Sequence, residues 1–292
     1  MTRDPNSSHQ EAGSGPLQQT VQQPLAPHLK TSVIVPAFNE AGRITNVLKT
    51  IAAARLVDEI IVVADGCEDS TADEARGFAA RLTHGEVRSG DTFRTGLPLH
   101  IFELESNIGK GGAMTYGAHR TEAEVVLFLD ADLIGLCAEQ VDAMLEPMLH
   151  PDASERADMT LGLFQGARGG AFGWFMSYCH RKAPAITGQR AIRRDVFLAV
   201  PGLTRSRFGV ETAITRYVIN TWKLRVSSVP LLGVTHPLKE EKRGVLRGLW
   251  HRCGMYSEIG AYVVLDNLSY SASARQREQT LQMRERFSND KM

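Results

Sequence analysis

LESNIGKGGAMTYGAHRTEAEVVLFLDADL, from Leu104 to Leu133, sets the terms for reading the chain. A turn rich in glycine and carrying Lys110 opens a helical stretch. A nearly unbroken apolar run, Val125 to Leu129, follows and ends in Asp130-Ala131-Asp132. Continuous apolar runs of that length suit strands covered on both faces. Working outward, TSVIVPAFNE (31–40) and DEIIVVADGCEDST (58–71) are two more such runs, each stopped by a polar loop. GRITNVLKTIAAAR (42–55) places Ile44, Val47, Leu48 and Ile51 at helical spacing between them. Ser70 or Asp69 is positioned to cap a helix starting near Thr71, and LHIFELE (99–105) is a further strand. Strand alternating with helix predicts an α/β fold: a Rossmann-like, mostly parallel sheet with right-handed crossovers.

Beyond Ala157 the pattern loosens. ADMTLGLF (157–164) reads as a strand, and GQRAIRRDVF (188–197) as a short strand running into a helix capped near Arg194–Asp195. GVETAITRYVINTW (209–222) reads as helix, and KLRVSSVPLLGVTHPL (223–238) as a late strand ending at His236. KRGVLRGLWHRCGMYSEIGAYVVL (242–265) has the pattern of a long amphipathic helix. Its basic flank of Lys239, Lys242, Arg243 and Arg247 suits a solvated face, an anionic ligand or a membrane surface. No internal repeat is visible.

The totals bound the function. The chain has 292 residues, enough for one large α/β domain with extensions. Its 33 Lys and Arg balance 33 Asp and Glu, so no overall field favours nucleic acid. Residues 1–29 are rich in Ser, Gln, Pro and Gly, lack the apolar core of a secretory signal, and are expected to be a disordered tail. The stretch from 269 to 292 is a polar tail. Cys67, Cys137, Cys179 and Cys253 have neither zinc-knuckle nor CxxC spacing, and free thiols fit a cytoplasmic setting. No run reaches the roughly 20 apolar residues of a membrane span, which leaves room for peripheral contact with the inner face of a membrane.

In open α/β sheets ligands bind beyond the carboxyl ends of the strands. Asn39, Glu40, Asp65, Gly66, Asn107, Lys110, Asp130 and Asp132 all fall there. In an extended chain residues two apart point to one side, so Asp130 and Asp132 are expected to share a hard divalent cation, Mg²⁺ or Mn²⁺. Gly109, Gly111 and Gly112 allow close backbone approach, and Lys110 adds a point charge for a phosphate. The GxxxxGK[ST] spacing of a Walker loop is missing. Asn39, Glu40 and Asp65 suit a ribose or a base edge. Taken singly, each of these motifs also fits a plain capping or solvated loop.

As a set, VIVPAFNEAGRI, IIVVADGCEDST, NIGKGGAMTYGA and VVLFLDADL resemble family 2-like glycosyltransferases of the GT-A fold, over roughly Thr31 to Leu149. The resemblance implies a nucleotide-sugar donor bound by Pro36, Ala37, Asn39, Glu40, Asp65, Gly66, Asn107, Gly109, Lys110 and Ala131, and a metal-diphosphate site at Asp130 and Asp132. TGQRAIRRDVF, RFGVETAITRYVI and GVTHPLKEEKRG resemble glucosyl-3-phosphoglycerate synthases, with Phe208 where that branch commonly has Tyr. That likeness implies His236 as third metal ligand, Glu211 facing the sugar or acceptor, and Gly188, Gln189 and Arg190 lining an acceptor pocket. It divides the domain, 30–268, into a nucleotide-sugar half (30–150) and an acceptor half (151–268).

The function expected is metal-dependent transfer of a UDP-linked hexose to a small phosphorylated acid or a lipid-linked acceptor. Lys110 and Glu211 are the catalytic candidates, and a homodimer is compatible with the sequence. A sugar-phosphate nucleotidyltransferase is the competing enzyme class, but PAFNEAGRI lacks the Gly-rich, Arg- and Lys-bearing loop that class carries after its first strand. A non-catalytic sugar-nucleotide scaffold is the third reading.

Overall fold

The computed structural model describes residues 29–85, 93–165, 187–205 and 209–237. Residues 1–28 of the N-terminal tail, the C-terminal tail, the amphipathic stretch 242–265 with its basic flank, Phe208, Cys179 and Cys253 lie outside them, while Leu29, expected to end the tail, packs on the core. Cys67 and Cys137 are free thiols. Among the described residues no helix is long and apolar enough to cross a membrane.

Seven strands form one sheet: β1 (Thr31–Ala37), β2 (Glu59–Asp65), β3 (Leu99–Leu104), β4 (Val125–Phe128), β5 (Met159–Gln165), β6 (Arg190–Arg193) and β7 (Val226–Leu232). Their order is β3-β2-β1-β4-β6-β5-β7. β6 alone runs against its two neighbours. The first half of the chain follows the expected alternation, with α1 (Ile44–Ala53), α2 (Thr71–His84), α3 (Lys110–Ala118) and α4 (Ala138–Leu145). Residues of the second half extend the same sheet.

The apolar runs are continuous because the sheet is buried on both faces. Val33, Val35, Ile60, Val62, Val125 and Leu127 join α1, α2 and α4 in one core. Their alternates Ile34, Ile61, Val63, Val126 and Phe128 join α3 and the short helices Arg194–Ala199 and Val210–Thr215 in the other. Period-two alternation therefore separates two cores instead of core from solvent. The edge strands β3 and β7 are only partly buried, as edge position requires.

Two local readings need correction, and one open alternative is decided. Strand β4 ends at Phe128, so Asp130 and Asp132 lie in a turn and not on an extended chain; alternation within a strand does not aim them. Strand β7 ends at Leu232, not His236. The chain turns at Gly233, whose φ is +73°, and then makes a single bridge from Thr235 to Ile134. Asp69, not Ser70, meets the start of α2: its Oδ1 accepts the Thr71 N–H at 3.0 Å, while Ser70 makes no capping bond.

The site end of the sheet is shaped by unequal strand lengths. β4 pairs only with Thr31–Ile34, whereas β1 runs on to Ala37 beside β2. Ile34 turns its carbonyl toward the β4 side, accepting from Leu129 N at 3.2 Å. Pro36, two residues on, faces the same way, where β4 has ended, so its missing N–H breaks no ladder bond. A notch opens between β1 and β4, the point where strand order reverses.

α3 closes on this notch through small residues. A Cβ on Gly117 would stand 2.6 Å from Ile34 Cγ2. Replacing Gly117 with Ala is expected to cost about 1–3 kcal/mol through overpacking. A lowered urea midpoint with unchanged slope would show it; an unchanged midpoint would mean that α3 is not held tightly on β1.

Candidate active site

Two loops at the carboxyl ends of β1 and β2 interlock. Asn39, at φ +56°, accepts from Glu68 N through Oδ1 at 2.8 Å. Glu40 N donates to Thr71 Oγ1 at 2.7 Å, and Ala41 N to Asp69 Oδ2 at 3.1 Å. Gly42 N reaches both oxygens of Glu74. Asp65, nearly fully buried at the end of β2, accepts from Ile108 N at 2.7 Å and Gly109 N at 2.9 Å. The Asn107 side chain donates to the Asp65 carbonyl at 3.1 Å. A Cβ on Gly66 would lie 2.4 Å from Asn107 N, so only glycine lets the loops approach. Asn39 and Asp65 thus shape the loops after β1, β2 and β3 through bonds to backbone amides. Gly111 and Gly112 are buried in the first turn of α3, where a Cβ on Gly112 would meet Ile108 at 2.9 Å.

The bridge between Ile134 and Thr235, with N···O distances of 2.9 and 3.0 Å, ties the Asp130–Asp132 turn to the segment after β7. It delivers His236. Its Nδ1 lies 2.9 Å from Asp132 Oδ1 and its Nε2 3.7 Å from Asp130 Oδ2, with Phe164 of β5 edge-on to the ring. One ligand atom from each of Asp130, Asp132 and His236 falls within 4.8 Å of the others. Two carboxylates and an imidazole at that spacing fit Mg²⁺ or Mn²⁺.

Lys110, the first residue of α3, points into the same space. Its Nζ contacts Asp130 Oδ1 at 2.8 Å and Glu211 Oε1 at 2.7 Å. Gly188 makes this approach feasible, since a Cβ there would sit 2.7 Å from Lys110 Nζ and 3.0 Å from Asp130 Oδ2. Gln189 and Arg190, expected from the resemblance to line an acceptor pocket, are instead fully buried beneath the cluster, and of the three only Gly188 is partly exposed. The Arg190 guanidinium donates to the carbonyls of Glu211, at 3.2 Å, and of Thr187. Burial pulls its pKa down to about 10, against the pull of the Glu211 and Asp130 charges.

The sequence-derived candidates therefore converge: Lys110, Asp130, Asp132, Gly188, Glu211 and His236 meet, with the Asn39–Glu40 and Asp65–Gly66 loops beside them. Sequence reasoning missed the Thr235–Ile134 bridge, the Phe164 ring and the interlock of Asp69 and Glu74 with the β1 loop. None has a local signature. A separate cleft of about 320 Å³ at the opposite end of the sheet, lined in part by Glu124, Arg156 and Arg193, contains none of these groups.

Charge coupling sets the protonation states. Burial opposes the Lys110 ammonium, yet Asp130 and Glu211 outweigh it and raise its pKa. Burial likewise opposes ionisation of Asp130, but Lys110 and His236 hold the carboxyl below its usual range. For His236, burial disfavours the cation, and the hydrogen bond with Asp132 and the charges of Asp130 and Asp132 prevail, raising its pKa above 6.5. A raised folded-state value stabilises the fold fully below the unfolded-state pKa. That contribution is lost as pH rises through the folded value. In metal-free protein the His236 imidazole is expected to titrate above 6.5 by NMR, and Asp132→Asn to lower the midpoint. A midpoint at or below 6.5 would mean the pair does not form in solution.

Comparison with known proteins agrees with this geometry. Residues 32–216, more than half of the chain, match the model of "Glycosyl transferase family 2". A dolichyl-phosphate beta-glucosyltransferase of Drosophila melanogaster is 34% identical over 116 residues, 37% of this chain and 32% of that protein. A dodecaprenyl-phosphate galacturonate synthase of Rhizobium johnstonii is 26% identical over 213 residues, 71% of this chain and 52% of its own. The chain thus spans about a third to a half of the length of these curated relatives. Among solved structures, glucosyl-3-phosphoglycerate synthase of Mycobacterium tuberculosis, in complex with Mn²⁺, UDP-glucose and phosphoglyceric acid, superposes with TM-score 0.53. It is 22% identical, and the match covers 79% of this chain and 83% of that one, which establishes a shared GT-A fold. With the family model covering the loops after β1 and β2 as well as the Asp130–Asp132 turn, the chain belongs to glycosyl transferase family 2.

Proposed function

We propose that this protein transfers a hexose from a nucleoside diphosphate sugar, UDP-linked, to a hydroxyl or phosphate oxygen of a phosphorylated acceptor. The observation that carries the reading is the meeting of Asp130, Asp132 and His236 with Lys110 and Glu211 beside the β1–β4 notch. In this reading the Asn39–Gly42 loop, the Asp65–Gly66 turn and the Asn107–Gly109 turn, which are bonded to one another or to α2, receive the nucleoside. Gly66, Gly109 and Gly188 keep backbone and charge close without side-chain bulk. The named substrates of the relatives support a phosphorylated acceptor: two are polyprenyl phosphates, and a third is phosphoglyceric acid.

In the transfer, the bond from the sugar C1 to the diphosphate oxygen breaks, and its electron pair leaves with the diphosphate. The acceptor oxygen bonds to C1. A bound Mg²⁺ or Mn²⁺ supplies charge neutralisation of the diphosphate, and Asp130, Asp132 and His236 would hold it. Lys110 stabilises the same developing charge from a preorganised position, fixed by Asp130 and Glu211 before substrate arrives. Glu211, paired with Lys110 at 2.7 Å, orients the sugar or acceptor in this reading. With a hydroxyl acceptor, Glu211 takes its proton in an inverting displacement and a departing phosphate oxygen takes it in a retaining one; an ionised phosphate oxygen attacks C1 with no proton to lose. The intact Asp130–Asp132–His236 cluster weighs against a non-catalytic scaffold.

Thermal unfolding with UDP-glucose, GDP-mannose and related donors, with and without Mn²⁺, tests the reading. The correct donor at 100 times its Kd is expected to stabilise by about 2.7 kcal/mol, in a Mn²⁺-dependent way. Asp132→Ala should abolish that dependence and keep the fold. Lack of any shift at millimolar donor would remove the proposal. Lys110→Ala is expected to lower kcat by about 10²–10³; near-normal turnover would exclude Lys110 from charge stabilisation. The anomeric configuration of the product, read by NMR, assigns Glu211: inversion together with a loss of about 10²–10⁴ in Glu211→Gln marks it as the base.

A further inference from the structure

We infer that Gln189 is a positioning residue for Asp130, and that its amide sets the affinity of the site for a divalent cation. The inference rests on the reading of Asp130, Asp132 and His236 as the metal-holding group. A fully buried glutamine must spend its amide on partners, and Gln189 spends both ends on one residue. Its Oε1 accepts the Asp130 N–H at 3.1 Å, and its Nε2 donates to Asp130 Oδ2 at 2.9 Å. The reverse amide orientation would set two N–H groups against each other and an oxygen against a carboxylate, so the network admits one orientation.

Strand register explains why a side chain is needed here. The antiparallel ladder between β4 and β6 ends at the pair Phe128 and Arg190. Beyond it the chain must leave the sheet to turn Asp130 and Asp132 toward His236. A side-chain amide has the same donor and acceptor as a peptide. Gln189 thus extends the ladder by one rung while letting the backbone diverge. Its own backbone is held on both sides: Gln189 N donates to Thr187 Oγ1 at 3.3 Å, and Gln189 O accepts from Gly162 N of β5 at 2.9 Å.

The consequence falls on the carboxylate plane of Asp130. Oδ1 is drawn toward Lys110 Nζ at 2.8 Å, while Oδ2 is fixed by Gln189 and faces His236 Nε2 at 3.7 Å. Without the amide, the Lys110 contact is left to orient the group against a smaller pull from His236, and the Asp130 N–H loses its acceptor. Being neutral, the amide orients the anion without quenching its charge, which a lysine at this position would do. Partners of this kind, which orient a ligand without touching the metal, typically govern affinity by 10–100-fold.

The test is the Kd for Mn²⁺ alone, from the free-ion EPR signal, in wild type and in Gln189→Met, which keeps length and volume but cannot hydrogen-bond. Mn²⁺ binding is expected to weaken by roughly tenfold or more. In turnover the half-saturating Mn²⁺ concentration rises by a similar factor, while kcat at saturating Mn²⁺ largely recovers. A residue that merely fills space would lower Tm and leave the Mn²⁺ Kd unchanged, and that result in folded Gln189→Met overturns the inference. If Gln189→Met does not fold, Gln189→Asn, which withdraws the amide by one methylene, carries the same test with the same two outcomes. Equal Kd values in wild type and variant sink the role of Gln189 alone. A wild type that binds no Mn²⁺ sinks the metal-site reading, and the inference with it.

Discussion

The site depends on one interaction: a lysine ammonium held between two carboxylates. Lys110 stands at the start of α3, Asp130 in the turn after β4, and Glu211 in the helix Val210–Thr215. Each charge alone would be costly to remove from water, and removing one partner from such a group leaves the others uncompensated. The network therefore locks three elements at one distance from each other. Gly188 is its steric condition, because a Cβ there would fill the space the ammonium occupies. Buried Arg190, bonded to the Glu211 carbonyl, holds the far side.

The sheet supplies the frame for that network. β1 outruns β4, Pro36 ends pairing on the open side without loss, and the turn carrying Asp130 and Asp132 leaves at the notch. β6 runs against its neighbours, so Gly188 and Gln189, which lead into it, lie at the site end of the sheet. The bridge after β7 brings His236 across. Four separate strand ends therefore contribute to a constellation only a few ångströms wide. Its preorganisation suits the departing diphosphate of the proposed transfer, since charge already in place need not be reorganised as the bond breaks.

Particular residues show how much was legible beforehand. The candidates were found by their place at strand ends, and the structure brings most of them together. The reasons differ from those the sequence suggested. Asp130 and Asp132 converge through a turn pinned by Gln189 and Thr235, not through strand alternation. Gly112 makes room for the Ile108 side chain of the preceding loop. Asp65 holds the 107–109 turn with both carboxylate oxygens. Asp69, which reads locally as a cap, also secures the backbone of Ala41 in another loop.

What the sequence determined by itself was the element order, the burial of the sheet on both faces, and the strand ends at which chemistry would gather. These follow from hydrophobic period and turn residues, which act over a few positions and are written in the chain. Only the tertiary structure decided which groups meet. The pairing of Lys110 with Glu211, of Asp130 with Gln189 and of Asp132 with His236 depends on strand order and on where each ladder stops. Those are set by packing between segments far apart in sequence, where no local period records them.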